Sequence, residues 1–449
     1  MDIKLRQKKL YESIKWKKLV NMKKLSTLFF TLALLLFWNS FGYDAKADIH
    51  SCTRQWYGVK FDSSVPNTTF TWSGTTYRYL DTFENARAEW NGYSGVFLGK
   101  TAHSWADVYY VGTTSEPGLL GRVYPVDGYL DNVSMDSNWL FVRVKIFHNT
   151  MSNYNMTPTE RFSNATHEVG HTVKMKHPAS YTGKTVMRQG IQAIGAQTYD
   201  YNELARNGKR EVVVMFSIKK FSISIPLAVL VFFGCYTFAK SYNSETYNEE
   251  KATKPAIQES SKGNIKTITL EANYVELNSE EELADNADLI IVGTPIDNFL
   301  DRVHRVTYSG DNTVEDYYTE TRVNVEKIIK APSEVTIDKN SVFKVVEPAV
   351  GIIENRVKGK TKVRTGPYTE MKKNMTYLLF LKKNINGDYS IMFNTLGRYN
   401  IDNKDAEDEA VENYSEEYDS WKVKKIKYEK YFEKKLIYRT RAVSLCDGN

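Results

Sequence analysis

Two histidines four residues apart, His167 and His171, stand on a stretch that reads as helix, and a third, His177, follows where that helix cannot run on. The helix start is written at Thr157-Pro158-Thr159-Glu160. Thr157 suits the cap, Pro158 the first helical position, and Glu160 completes a capping box. Phe162, Ala165, Val169 and Val173 then recur at spacings of three and four, which predicts one buried face, with His167, Glu168 and His171 projecting from the other. Were the helix to continue, His177 would lie about 15 Å further along its axis than His167 and well off its face. Pro178 directly after His177 disfavours helical backbone there. For the three rings to meet, the chain must leave the helix between Val173 and Met175 and fold back.

Side chains four apart on a helix are neighbours, so His167 and His171 can reach one zinc ion at about 2.0–2.1 Å. Glu168 is rotated away from such an ion and fits the base that takes a proton from a water attacking a carbonyl. Two ligands hold zinc poorly. His177 is the expected third, with the acidic Glu203 as the fallback. With only seven histidines in 449 residues, coincidence is a weak explanation of the pattern. A purely structural zinc site has no use for Glu168 or for an open fourth position. His50, His103 and His148 read as surface or internally satisfied histidines.

The run from His167 through Glu168 and His171 to His177 resembles the metzincin zinc proteases, closest in style to matrixin-like bacterial enzymes. Thr185-Val186-Met187-Arg188-Gln189-Gly190 is similar to the family's Met-turn, a methionine forming an apolar floor below the metal. Thr76 to Tyr79, followed by Phe83, Ala86 and Trp90, is similar to its first strand and first helix. The resemblance covers about residues 48–208. It implies a twisted mixed sheet with an active-site helix, Zn2+ held by His167, His171 and His177, Glu168 as catalytic residue, and an edge strand that binds extended substrate. Two positions depart from the pattern. Lys174 stands where the family has a glycine in a left-handed turn, at a cost of roughly 1 kcal/mol. Gln189 stands where astacin-like members carry a tyrosine.

Around this region the chain divides by composition. Residues 1–21 are a Lys-rich extension, and residues 22–47 read as a secretory signal peptide, with an apolar run from Leu28 to Trp38 and Ala45-Lys46-Ala47 as cleavage pattern. Residues 209–264 contain an uncharged stretch, 221–239, preceded by Lys219 and Lys220. Taken as a membrane anchor of an exported chain, it leaves those lysines outside, against the positive-inside bias. Taken as a second signal beginning at Met215, it leaves them inside, which predicts two adjacent secreted proteins joined into one. Residues 265–402 read as mainly β, a small barrel-like domain, with candidate strands at Ala287–Gly293, Arg322–Ile328 and Tyr377–Leu381. Residues 403–449 read as a charged, helical, solvated tail. Trp139 to Phe147 alternates as a strand with Leu140, Val142, Val144 and Ile146 on one face.

The whole is expected to be α+β, and its partner a protein or peptide substrate. A net charge of +6 without a basic block argues against nucleic acid. Cys52, Cys235 and Cys446 are too far apart to suggest a disulfide framework and read as three independent thiols, and nothing around Cys52 resembles an inhibitory cysteine motif. The expected function is a secreted zinc endopeptidase, with 221–239 as its route to any membrane attachment. The rival is a membrane-attached binding protein whose zinc site has degenerated through Lys174 and whose working part is the β domain. Oligomeric state is not legible.

Overall fold

In the computed structural model an early hairpin precedes the first helix of the N-terminal part. β2 (Thr69–Trp72) and β3 (Thr75–Arg78) are joined by Ser73 and Gly74, both at positive φ, the geometry that matches strand twist across a two-residue turn. The described residues are 50, 59–60, 69–206 except 94–95, 102 and 179–180, and 265–409 except 278 and 311. The extension 1–21, the signal-like 22–47, all three cysteines, the stretch 221–239 and the tail beyond 409 lie outside them. Among the described residues no helix is long and apolar enough to cross a membrane.

After the hairpin comes a helix, Leu80–Asn91, that buries Phe83, Ala86 and Trp90. β1 (Val59–Lys60), β4 (Asp107–Gly112) and β6 (Phe141–Phe147) run parallel, and β5 (Leu119–Val126) lies antiparallel to β6. The segment from Thr76, expected as the family's first strand, thus sits in its own hairpin, and β1 takes the outer place in the main sheet. The histidine helix, Pro158–Thr172, packs on β5 and β6. β6 starts at Phe141, leaving Leu140 outside, and is buried on both faces. The alternation placed Leu140, Val142, Val144 and Ile146 on one face, and Arg143 and Lys145 stand on the other. That other face is covered by the C-terminal part, where the Lys145 ammonium donates to the carbonyl of Glu315 at 3.3 Å.

The C-terminal part is mainly β, as its apolar runs predicted. β7 (Lys266–Leu270) and β8 (Ala272–Tyr274) lead into a short helix, Glu280–Asn286. Then follow β9 (Leu289–Pro295), β10 (Val303–Tyr308), β11 (Val314–Lys330), β12 (Val342–Glu347), β13 (Val350–Asn355), β14 (Gly359–Thr365), β15 (Tyr377–Lys383), β16 (Tyr389–Ile391) and β17 (Arg398–Asn400). β9 pairs with β11, β11 with β12, β12 with β16, β16 with β15, and β15 again with β9. That ring is a closed five-stranded barrel, filled by Leu289, Ile291, Val323, Val325, Val345, Leu379, Leu381 and Ile391. Closure removes the unpaired edges that an open sheet of these apolar strands would expose. The start of the tail is not solvated as expected: Asp405 accepts from the Tyr377 hydroxyl at 2.7 Å and Asp408 pairs with buried Arg398 at 2.6 Å.

The two parts interlock within one compact unit beginning at Asp48. β8 pairs antiparallel with β5 and becomes the fifth strand of the N-terminal sheet, in the order β1-β4-β6-β5-β8. The boundary drawn from composition between residues 208 and 265 is therefore crossed by the fold. Across the seam the Asn132 backbone amide donates to Asn355 Oδ1 and the Asn355 side-chain amide donates to the Asn132 carbonyl, each at 3.2 Å.

In the outer layer of the C-terminal part, buried Glu370 lies between Lys362 and Lys372, which hold its carboxyl down at about 2 although burial alone pushes the other way. A carboxyl whose folded value is depressed adds stability above its ordinary range and loses it as the pH falls toward the folded value. Glu370→Gln should therefore destabilise the protein at pH 7, and the penalty should shrink steadily between about pH 4.5 and 2, read from urea unfolding at several pH values.

Candidate metal centre

The helix that carries the site begins as its sequence dictates. Thr157 accepts from the backbone of Glu160, and the Glu160 carboxylate accepts from the Thr157 amide at 2.7 Å. Of the predicted apolar face Ala165, Val169 and Val173 are buried and Phe162 partly so, and the histidine face is buried too: every residue from Ser163 to Thr172 is excluded from water. The helix ends with the Lys174 amide bonded to the His171 carbonyl and the Met175 amide to the Gly170 carbonyl, at 2.9 and 3.1 Å. Lys174 has φ +73°, so the left-handed reversal is made by a lysine. The His50 amide caps the reversal, donating to the Lys174 carbonyl at 2.8 Å. His50, read as a bystander, is buried and braces this turn, with its Nδ1 3.1 Å from Asp136.

The reversal brings His177 back to the helix. The ring centroids of His167, His171 and His177 lie 4.8–5.0 Å from one another, and among the described residues these three form the one cluster arranged to hold a metal ion. His167 Nδ1–H donates to the Val186 carbonyl at 2.9 Å and His171 Nδ1–H to the Met175 carbonyl at 2.8 Å. Those bonds fix the tautomer and leave both Nε2 lone pairs for the centre. His167 Nε2 faces His177 Nε2 at 3.0 Å, while His171 Nε2 is buried without a hydrogen-bond partner. Burial, reinforced by the neighbouring rings, holds His167 and His171 well below the ordinary imidazole range, so both are neutral and able to ligate. Three converging nitrogens, two of them on rings held by backbone carbonyls, could hold a metal ion.

Glu168 is fully buried, and no side chain donates to its oxygens, although the Asn273 backbone amide acts on the carboxyl and draws it down. Burial pushes its carboxyl up to about 8. Its side chain packs against Gly121 of β5, where an added Cβ would fall 2.3 Å from Glu168 Oε1. Met187 is buried under the helix at Gly170, whose added Cβ would lie 2.3 Å from Met187 Sδ and 2.7 Å from the Trp90 ring. The Trp90 indole donates to the Thr166 carbonyl at 2.9 Å, tying the first helix to the second. The turn around Met187 is held by buried Asp200, which accepts from the Val186 amide at 3.1 Å and from the Thr185 hydroxyl. Glu203, the fallback ligand, is instead paired with Arg206 at 2.6 Å. His148 is satisfied by Tyr79 and Ser152, and His103 is exposed.

Several residues at the site were not legible in advance. Gln189 donates to the Ala272 carbonyl and accepts from the Tyr274 amide, both at 2.7 Å, and stands 3.2 Å from His177 Nδ1. Glu271 lies 3.4 Å from the same nitrogen. Neither position forms a motif, because the contacts join segments more than 80 residues apart. No family model, no curated protein and no solved structure matches the chain.

The Gly121–Glu168 contact makes a measurable coupling. Gly121→Ala should cost about 1–3 kcal/mol through steric conflict, and most of that cost should vanish when Glu168→Ala is also present. A double-mutant cycle in denaturant checks this.

Proposed function

We propose that the N-terminal part is a zinc-dependent endopeptidase, with His167, His171 and His177 as ligands and Glu168 as general base. The observation that carries the reading is three imidazoles meeting beside a buried carboxylate, two of them neutral and held by backbone carbonyls. A structural metal site has no need of that carboxylate. When bound, the ion supplies a Lewis acid for the scissile carbonyl and lowers the pKa of a water toward neutrality.

The chain's own residues divide the rest of the work. Glu168, buried beside the three rings, accepts the proton of the attacking water and returns it to the departing amine. The Val186 and Met175 carbonyls keep the two helix imidazoles in one orientation throughout. Met187 and Trp90 form the apolar floor that excludes water beneath them. β5 lies beside Glu168, and an extended peptide would meet its main-chain groups on the side where β8 pairs. The signal-like segment 22–47 supports export of this activity.

Zinc content and chelator-sensitive casein hydrolysis test the reading together. Glu168→Ala should retain one zinc per chain and lose about 10²–10⁴ of its rate, whereas His177→Ala should lose zinc. Unchanged hydrolysis in Glu168→Ala would refute the assignment.

A further inference from the structure

The edge of β5 beside the histidines is occupied. β8 lies on it antiparallel, with Asn273 opposite Gly121 and Ala272 opposite Arg122. The Val123 amide donates to the Glu271 carbonyl at 3.2 Å, and the Val275 amide to the Gly118 carbonyl at 2.9 Å. Gly121 is the residue against which Glu168 packs, so the strand that pairs with it passes over the proposed base. From the other wall, Gln189 grips the strand's backbone on both sides of Asn273. The Asn273 side chain is buried, accepting from the Gly190 amide at 2.8 Å and donating to Asn164 on the histidine helix at 3.0 Å. Glu271 brings a carboxylate to 3.4 Å from His177. The backbone of a short, extended segment thus lies in the cleft as a bound peptide would, read by main-chain bonds on one side and by an amide clamp on the other.

We propose that residues 271–275 are a built-in occupant of the peptide cleft, and that the C-terminal barrel part is an inhibitor of the centre it covers. This rests on the peptidase reading. The seat is rigid because the segment continues directly from β7, which pairs with β14 in the C-terminal part, and because Tyr274 anchors it. The Tyr274 hydroxyl donates to buried Glu116 at 2.5 Å, and Glu116 is in turn paired with Arg122 of β5. The geometry is the same for a tethered inhibitor and for a separately exported one, so the contact serves either arrangement of the two parts. A substrate reaches β5 only in molecules where β8 has left, which lowers the apparent rate by the open fraction.

The test uses the zinc-loaded full chain and two variants that loosen the strand from opposite sides, Asn273→Pro and Gln189→Ala. Amide exchange at Val123 reads the seat without needing catalysis, and casein hydrolysis reads its consequence. In the unsubstituted protein Val123 should exchange slowly. In both variants it should exchange quickly, slow again on adding oxidised insulin B chain, and be accompanied by casein hydrolysis faster by roughly tenfold or more. Fast exchange at Val123 in the unsubstituted protein would overturn the proposal, as would variants that open the strand at full zinc occupancy without any gain in hydrolysis. Protein that binds no zinc would strike the peptidase reading alone, and the Val123 exchange with and without the B chain would still decide whether the strand fills a peptide cleft.

Discussion

Everything at the centre depends on a backbone reversal three residues beyond His171. An α-helix can present two imidazoles to one point, and the third has to be returned by a turn with positive φ. Here the turn falls on Lys174, whose Cβ makes the left-handed conformation unfavourable by roughly 1 kcal/mol. The surrounding bonds over-determine it: two amides cap the helix end, and His50 binds the Lys174 carbonyl from outside. Local strain of this size is tolerated where several independent contacts insist on one geometry. The lysine that looks like a sign of decay in the sequence is compatible with an intact site.

The helix and its cap were legible because their determinants are local. Thr157, Pro158 and Glu160 act within one turn, and the spacing of His167, His171 and His177 with Pro178 dictates both the helix and its end. The barrel strands were legible for a similar reason, as β9, β11 and β15 contain uninterrupted or alternating apolar runs. β5 was not, since Gly121 and Pro125 break its pattern and its burial on both faces removes alternation. Nor was β8, three residues with no periodicity of their own whose pairing partner lies about 150 positions upstream. The burial of Arg143 and Lys145 was likewise not legible, because the segment that covers them is distant in sequence.

That covering surface is unusual in its chemistry. Arg122, Glu116, Tyr274 and Tyr317 are buried together, with the Arg122 guanidinium 5.0 Å above the Tyr317 ring and Asp316 3.8 Å from it. Removing such charges from water is costly, and they repay it only when every partner is in place. A seam built this way favours one register of β8 on β5 over slipped alternatives. Register matters here because a slip of one residue would turn Asn273 away from Asn164 and Gly190.

In the proposed centre three nitrogens share one ion. Anomalous scattering at the zinc edge from zinc-loaded crystals measures this directly. The expected result is a single strong peak within ligand distance of the Nε2 atoms of His167, His171 and His177, about 2.0–2.1 Å from each. A chain that takes up no zinc, or a peak lying away from these three rings, would contradict it.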